Sequence, residues 1–437
     1  MFRRLLQRLT DRAALTAQVA GAVALVGANA QAGSAGEAAS LESQGLALDA
    51  AKVLTCADAD GGYLNRGRIL VQDGQILAVG RQSELEIPAG FEHRDFGDLW
   101  LMPGMIDLHS HIGGTFDING AVYQANPGLR VSTAVIPGNP AFRRALAAGV
   151  TTVLFIPGSA TTVGGQGVLL KTAGDTYDEA LVRDPGSLKI AQADNPKRWG
   201  YGMNRIMLNW QIREVLRRGK AHVRLERERA AAAGEEPSYD PQWEIFAALV
   251  DREAQISTHT QVAQVIAASI RIMALEAGLP MFIDHGSMDG HLMAGMARDA
   301  GVQAILGPRN FSSRVLSRDI DEDGKIVGFA AEYQKAGHPA IGFNTDAPVV
   351  PAEELFLQAG IACRLGFIDD ELQAVRGLTR VPAETVGLGD RIGSLRAGLD
   401  ADIVVITGHP ADPRSSVEVV YVDGELRYDT GAERRVF

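Results

Sequence analysis

Two histidines separated by one residue, His109 and His111, follow the largely apolar segment 101–108. Side chains at positions i and i+2 of a β-strand point to the same side, so this spacing can present two imidazoles to one ion. Neutral imidazole is a common protein ligand for zinc and related cations. Two surface histidines that alternate by chance would show the same spacing, but Gly113 and Gly114 follow and let the backbone turn freely. The motif therefore predicts a metal site at the end of a strand.

Three further residues, His259, His285 and Asp346, each come at or directly after the end of a later apolar segment. Catalytic residues of parallel barrels gather at the carboxyl ends of the strands. Taken alone, each of the three is more often a capping or turn residue than a ligand. Four histidines and one aspartate in one layer of a barrel are hard to assign to packing, so we expect them to share a metal centre at the barrel mouth.

Two lysines, Lys171 and Lys189, lie on predicted core strands. A buried ammonium group must be paired or chemically altered, because burying a lone charge is very costly. A neutral lysine amine can take up carbon dioxide and become a carbamate, which is a bidentate oxygen ligand able to bridge two cations. The alternative is a lysine that pairs with a barrel carboxylate or extends to the surface. From the residues alone, both interpretations stay open for both lysines.

Apolar segments that alternate with helical patterns must position these side chains. The predicted strands are 101–108, 151–156, 167–171, 187–192, 255–259, 281–285, 302–306 and 340–344. Helices are expected between most of them, including 139–148 and 262–277, and 211–249 is a long charged helical excursion with its turn at 234–241. The connection between the second and third strands is too short and too rich in glycine for a regular helix. The pattern predicts an α/β fold, a (β/α)₈ TIM-type barrel over residues 101–394.

Both ends of the chain show a different pattern. Short apolar runs separated by turn residues occupy 45–100 and 395–437, and each range contains an Asp-Gly pair, at 73–74 and at 423–424. An Asp-Gly pair between two β-rich runs is the strongest short signal for a hairpin. The sequence therefore predicts a small β-sandwich built from both termini beside the barrel.

The first 32 residues resemble neither region. Four arginines precede an uncharged Ala-rich segment that ends in the A-x-A form at 30–32. This composition is typical of a secretory signal peptide, with a disordered tail as the alternative. A signal peptide would export the protein to the periplasm or the extracellular space; without one the protein is cytoplasmic. The segment is poor in large apolar residues, and no membrane span is expected after its removal.

Composition also restricts the partners. The net charge of −11 and the lack of a basic stripe argue against a nucleic-acid surface. We expect a small-molecule substrate, and the composition is compatible with a homo-oligomer.

The order of these residues resembles the amidohydrolase superfamily. The segments 103–111 and 393–405 look like its usual start and finish, and its imidazolonepropionase-related branch is suggested by 164–167, 195–198 and 344–348. The resemblance covers roughly residue 45 to the C-terminus and implies a barrel, a two-part β-sandwich and a divalent-metal hydrolase centre. It also implies that Lys189 carries the carbamate, with Lys171 as second choice. Imidazolonepropionases generally lack this lysine, so a carbamate would separate the chain from the imidazolone reaction itself.

The resemblance implies one or two divalent cations, with zinc the first expectation. A metal-activated hydroxide would attack an amide-type C–N bond in a peptide, an N-acyl amino acid or a cyclic amide. Asp346 is expected to act as ligand and as general base. Arg309 and Asn310, which follow the seventh strand, are expected to contact the substrate.

Two other functions stay open. A deaminase on the same scaffold usually works with one metal and often uses a glutamate near the histidine of strand five or six, which the residues after His259 and His285 do not supply. A non-catalytic binding protein on such a barrel would usually have lost ligands that this chain keeps.

Overall fold

The computed structural model describes residues 45–192, 195–199, 203–311 and 326–437. The segment 1–32, for which the sequence predicts a signal peptide, lies outside the described residues. Among the described helices, none is both long and apolar enough to cross a membrane.

One sheet combines strands from both ends of the described chain. Its strands are β1 (Leu46–Leu54), β2 (Tyr63–Gln72), β3 (Gln75–Arg81), β4 (Glu92–Asp95), β5 (Trp100–Pro103), β14 (Ile403–Ile406), β15 (Val417–Val422) and β16 (Glu425–Asp429). Strand β5 joins the two halves, because it pairs in parallel with β1 and antiparallel with β14. The Asp-Gly pairs at 73–74 and 423–424 connect antiparallel strands, as hairpin turns do. The finer prediction of a two-layered β-sandwich stays a prediction.

A second sheet forms the barrel wall. Its eight strands are β6 (Met105–Ser110), β7 (Val150–Phe155), β8 (Val163–Lys171), β9 (Leu181–Ala191), β10 (Gln255–Thr260), β11 (Met281–His285), β12 (Gln303–Leu306) and β13 (Ile341–Phe343). The sheet is nearly closed where its first and last strands end, since the backbone N–H of His111 donates to the carbonyl of Ala347 at 2.8 Å. The predicted TIM-type barrel is confirmed at this level.

Helices cover the barrel wall between most strands. They are α1 (Pro140–Ala147), α2 (Tyr177–Ala180), α3 (Asn195–Trp199), α4 (Arg205–Ala233), α5 (Ile245–Val250), α6 (Ala263–Ser269), α7 (Ala294–Asp299), α8 (Phe329–Lys335), α9 (Leu355–Arg364), α10 (Gln373–Leu378) and α11 (Arg380–Thr385). A π-helical segment, Ile270–Glu276, continues α6. The charged excursion is α4, which ends at Gly234 with φ of 68°, the left-handed conformation that glycine adopts at little cost.

Strand β8 corrects the expectation of an all-parallel barrel. It runs antiparallel to both β7 and β9. A parallel pair needs a crossover of a dozen or more residues, whereas an antiparallel pair can be joined by a short loop. The chain between β7 and β8 is only the loop 156–162. The connection that was too short for a helix therefore reverses the direction of the third strand.

The predicted strand 101–108 is also wrong in one respect, because it is two strands in two sheets. The chain leaves the first sheet at Pro103 and enters the barrel at Met105. Between them, Gly104 packs so closely on the barrel that a Cβ there would lie 2.0 Å from Thr151 Oγ1. The change of sheet thus lies at Gly104, and the domain ranges 45–100 with 395–437 and 101–394 stay a prediction.

The barrel is filled rather than hollow. One buried apolar cluster joins side chains at five of its strands: Ile106, Leu108, Leu154, Ile156, Leu169, Phe282 and Ile305. This packing supports the polar residues at the carboxyl ends of the strands from below.

Candidate metal centre

The five predicted ligands come from four parts of the barrel sheet. His109 lies in β6 and His111 directly after it, His259 lies in β10, His285 ends β11, and Asp346 follows β13. All five side chains are buried, with exposed fractions from 0% for His109 to 9% for Asp346. The structure therefore brings them together at the carboxyl ends of the strands.

Two overlapping groups of these side chains could each hold a cation. In one group, ligand atoms of His109, His259 and His285 all lie within 4.8 Å of one another. In the other, the same is true of His109, His111 and Asp346. Because His109 belongs to both groups, the geometry offers a place for one cation or for two adjacent ones.

Hydrogen bonds at the back of two rings decide which nitrogen faces the centre. Nδ1 of His111 lies 2.9 Å from the carbonyl oxygen of Ile156, and Nδ1 of His285 lies 3.1 Å from that of Gly307. A carbonyl oxygen can only accept, so Nδ1 carries the proton in both rings. Nε2 then carries the lone pair and points inward, which is how metal-binding histidines are usually held.

Two inward-facing atoms, Nε2 of His111 and Oδ1 of Asp346, lie 3.4 Å apart and repel one another unless a cation lies between them. Nε2 of His285 lies 3.0 Å from Nδ1 of His259, which can donate to it when that nitrogen carries the proton. A lone pair that faces a carboxylate oxygen is unfavourable in a buried site. Imidazole nitrogens and a carboxylate oxygen are also a ligand set that zinc accepts. The residues of the centre therefore fit a divalent cation.

Burial sets the protonation states of the centre. It lowers the pKa of His285 to about 4 and the pKa values of His109 and His259 well below the ordinary histidine value. Burial would raise the pKa of Asp346, but His109 and His111 outweigh it and hold that pKa below its ordinary value. Near pH 7, His109, His259 and His285 are thus neutral and Asp346 is ionised, as metal binding requires.

Lys189 reaches the same centre from β9. Its Nζ lies 3.2 Å from Nε2 of His109, and its side chain is fully buried. Burial lowers the pKa of the amine to about 8, against the opposing effect of Asp284 and Asp346. Gly164 lies beside this lysine, since a Cβ at that position would be at an ordinary contact distance, 3.5 Å, from Cγ of Lys189. Lys189 is therefore well placed for the predicted carbamate.

Lys171, the second choice for the carbamate, lies at the opposite end of the barrel. Because β8 is antiparallel, this residue pairs with Thr152 near the start of β7. Its Nζ lies 2.5 Å from Asp402, 3.2 Å from Asp423 and 3.3 Å from Asp400. Burial opposes the charge, but these carboxylates raise the pKa of Lys171 above its ordinary value. Lys171 is a paired ammonium group outside the centre.

The two predicted substrate contacts differ from each other. Arg309 is exposed and has a φ of 109°, a conformation that costs a non-glycine residue about 1–3 kcal/mol and is characteristic of functional sites. Asn310 is buried, and its Nδ2 donates to the carbonyl oxygen of Gln358 in α9 at 3.3 Å. Arg309 is thus exposed to solvent beyond β12, whereas the amide nitrogen of Asn310 is hydrogen-bonded within the fold and its buried Oδ1 has no hydrogen-bond partner among the described residues.

Four residues around the centre were not predicted from the sequence. Asp284 lies behind His109, Asp107 accepts a hydrogen bond from the hydroxyl of Thr345, and Ser159 lies with its Oγ 2.8 Å from Nδ1 of His259. Phe116 is 63% exposed, and its ring centroid lies 6.3 Å from that of His111. The two aspartates precede His109 and His285 by two residues and one residue, so the motifs contained them. Nothing in the spacing indicated Ser159 or Phe116, which lie on loops.

Comparisons with known proteins agree with this architecture. A family model described as the amidohydrolase family matches residues 369–427. The crystal structure of an amidohydrolase from Thermotoga maritima is 31% identical, with a TM-score of 0.76 over 88% of this chain and 100% of its own.

Two curated relatives extend the comparison. An imidazolonepropionase from Aromatoleum aromaticum is 25% identical over 372 residues, which are 79% of this chain and 86% of that protein. The amidohydrolase tasK from Hapsidospora irregularis is 26% identical over 407 residues, which cover 83% of this chain. The chain spans only 40% of the length of that relative.

Proposed function

We propose that this chain, which belongs to the amidohydrolase superfamily and to its imidazolonepropionase-related branch, hydrolyses an amide-type C–N bond with a bound divalent cation. That the protein is a hydrolytic enzyme acting on C–N bonds follows from its family and its relatives. The bond we propose is that of a peptide, an N-acyl amino acid or a cyclic amide. The observation that carries the proposal is the convergence of four buried histidines and Asp346 in two overlapping groups that could each hold a cation.

Asp346 is the general base of the proposed reaction. A bound divalent cation lowers the pKa of a water molecule to near 7 and polarises a carbonyl oxygen. Asp346 is ionised, so it can accept the proton of the attacking water as the new C–O bond forms. It then passes that proton to the leaving nitrogen as the C–N bond breaks, which leaves a carboxylic acid and an amine. Nε2 of His109 and Nε2 of His111 lie 3.2 and 3.4 Å from Oδ1 of Asp346, so a cation held by these two rings would lie close to the carboxylate.

Lys189 is the proposed site of a carbamate. Its amine is fully buried, and burial lowers its pKa to about 8, so neutral amine is available in mildly alkaline solution. Carbon dioxide adds to that neutral nitrogen, a proton leaves, and the product is an anionic oxygen ligand beside His109. A carbamate on Lys189 would supply an oxygen ligand beside His109, the residue that both ligand groups share.

A cavity of about 470 Å³ is the proposed entrance for the acyl part of the substrate. Its walls include Asn119, Leu129, Arg130, Pro157 and Gly164, and Gly164 adjoins the side chain of Lys189. This volume is typical of a small-molecule site. The exposed guanidinium of Arg309 is proposed to contact a polar or anionic part of the substrate.

Three proposals concern the whole chain. The composition of residues 1–32 supports export through a signal peptide. The sheet shared by both ends of the described chain supports a β-sandwich beside the barrel. The molecule is also proposed to act on small molecules, with a homo-oligomer compatible with its composition.

Metal counting combined with product analysis tests the proposed reaction. The purified protein is assayed for zinc, manganese and iron, and screened against dipeptides, N-acyl amino acids, cyclic amides and aminated ring compounds. We expect two ions per chain and the release of an amine from an amide. One ion per chain with ammonia released from a ring would identify a deaminase. Bound metal without any hydrolysis across the screen would overturn the proposed function.

A further inference from the structure

Asp284 is a buried side chain whose carboxyl group makes no hydrogen bond among the described residues. It lies in β11 directly before His285 and is fully buried. Neither of its two oxygens has a hydrogen-bond partner among the described residues. Burying a carboxylate without a partner is very costly, so a fold keeps one only where something else depends on it.

The nearest ring nitrogen to this carboxylate also has no partner. Oδ2 of Asp284 lies 3.4 Å from Nδ1 of His109, and that Nδ1 is likewise buried without a hydrogen bond among the described residues. The other nitrogen of the same ring, Nε2, lies 3.2 Å from Asp346 and 3.2 Å from Lys189. A small rotation of the His109 ring would therefore close a hydrogen bond at its back.

The same arrangement recurs around the centre. His111 and His285 both have an oxygen behind Nδ1, the carbonyl of Ile156 in one case and that of Gly307 in the other. For His109 the oxygen behind Nδ1 belongs to Asp284. Each of the three rings thus has an acceptor on its outer nitrogen and the centre of the site at its inner nitrogen. Only His109 has a carboxyl oxygen of a side chain, rather than a backbone carbonyl, behind its outer nitrogen.

We propose that Asp284 is the positioning residue of His109: it accepts the proton of Nδ1 and thereby directs the Nε2 lone pair at the bound cation. The inference rests on the proposed function only in requiring that the site binds a divalent cation. His109 is the one residue shared by both ligand groups, so its orientation affects every cation that the centre can hold.

Asp107 provides a matched comparison in the same layer. It is as buried as Asp284, but its carboxylate accepts from the hydroxyl of Thr345 and, at 3.1 Å, from the backbone N–H of His109. Those hydrogen bonds join β6 to the end of β13. Asp107 therefore stabilises the fold whether or not a cation is present. The proposed role of Asp284, by contrast, is confined to the orientation of the His109 ring.

The affinity for Zn²⁺ separates the two roles. Zinc is removed from the full-length protein, and Zn²⁺ is titrated back against a competing chelator for the wild type, Asp284→Asn and Asp107→Asn. Loss of a hydrogen-bond partner behind a ligand histidine weakens metal binding by about 10- to 100-fold. We expect that loss in Asp284→Asn, together with a changed visible spectrum when Co²⁺ replaces Zn²⁺.

The urea midpoint of the metal-free protein should distinguish the two variants. Asp284→Asn replaces a buried carboxyl group that makes no hydrogen bond among the described residues, so its urea midpoint should equal or exceed that of the wild type. Asp107→Asn places an amide N–H₂ group against hydrogen-bond donors, so its midpoint should fall. A metal-free Asp284→Asn protein that is unfolded or less stable than the wild type would assign Asp284 a structural role and overturn the proposal.

A double-mutant cycle completes the test. Since Asp284 acts through His109, adding Asp284→Asn to His109→Gln should not weaken Zn²⁺ binding further. Wild-type affinity in Asp284→Asn, or additive losses in the double variant, would overturn the positioning role. A wild type that binds Zn²⁺ but hydrolyses nothing would count against the proposed function alone. A wild type that binds no Zn²⁺ would remove the premise of both.

Discussion

Two buried lysines on neighbouring strands have opposite surroundings. Lys171 ends β8 at the amino end of the barrel, where three carboxylates lie within 3.3 Å of its Nζ. Lys189 lies on β9 near the carboxyl end, and its nearest polar neighbour is Nε2 of His109 at 3.2 Å. Burial acts against the charge of both, yet the pKa of Lys171 is raised and that of Lys189 is lowered to about 8.

The contrast shows that the neighbours of a buried lysine decide whether its charge stabilises the fold or its amine is available for reaction. The carboxylates of Asp400, Asp402 and Asp423 come from the small sheet and its turns, so Lys171 ties that sheet to the barrel. Lys189 lies among neutral histidines, where an ammonium group is poorly compensated. A lysine whose buried charge is uncompensated is the one available for reaction.

The largest expected effect is on kcat, and it appears when an aspartate at one end of the barrel is compared with an aspartate at the other end. Asp346→Asn removes the proposed general base, and such a group contributes on the order of 10²–10⁴ in rate. We expect kcat to fall by that factor while the thermal midpoint changes little. The control is Asp423→Asn at the other end, which should keep kcat. Equal losses of activity in both variants would show that Asp346 has no special role.

Removal of Lys171 should affect stability more than chemistry. Lys171→Met leaves the buried Asp402 without its cation, and breaking a buried ion pair costs about 3–5 kcal/mol. Urea unfolding should show a loss in the free energy of unfolding of that order. The folded fraction should still bind zinc as the wild type does. A folded variant that has lost its metal would mean that Lys171 also affects metal binding at the opposite end of the barrel.

Lys189→Met should give the reverse result. Replacing a poorly compensated buried ammonium group by an apolar side chain should leave the metal-free protein as stable as the wild type or more so. Its zinc content should fall, since the proposed carbamate ligand cannot form. Metal analysis and urea unfolding of the same preparation measure both effects. Unchanged zinc content would contradict the carbamate, and a large loss of stability would make Lys189 structural like Lys171.

The smallest expected effect is on how stability depends on pH in alkaline solution, where Lys189 and Lys171 should contribute with opposite signs. The folded-state pKa of Lys189, about 8, lies below the unfolded value of 10.5, so the unfolded chain binds more protons between these pH values. Stability should therefore rise with pH across that window, and Lys189→Met should remove this contribution. For Lys171 the folded pKa is above 10.5, so its stabilisation is present below 10.5 and is lost as the pH rises through the folded pKa. Urea midpoints of the metal-free proteins from pH 7 to about pH 10.5 test the sign.

Much of the architecture could be predicted from the sequence because apolar segments and turns are local signals. Each of the eight barrel strands overlaps a predicted segment, and the turns at 73–74 and 423–424 were also visible. The direction of β8 was not visible in the sequence, because the direction of a strand depends on how the chain connects it to the neighbouring strands of the sheet. The short loop 156–162 contained that information, but its significance depends on knowing that both strands belong to one sheet.

The residues that meet at the candidate centre could be predicted because each stands at the end of an apolar strand; that they bind a metal stays a prediction. Their partners could not, because such contacts join distant parts of the chain. Asp107 and Thr345 are 238 residues apart, and nothing in either local sequence indicates the other. The two lysines show the same limit: apart from the family resemblance, which favoured Lys189, their local sequences left both interpretations open. The contacts of Lys171 with Asp400, Asp402 and Asp423 distinguish them.

Reconstitution of the metal-free enzyme tests the central claim most directly. Chelator-treated protein is titrated with Zn²⁺, and both bound zinc and hydrolysis of the best amide substrate are followed. Turnover should be absent without metal, return in proportion to bound zinc, and fail to return in His109→Ala, which loses the ligand common to both groups. Full turnover by the metal-free protein, or normal zinc-dependent turnover by His109→Ala, would contradict the account.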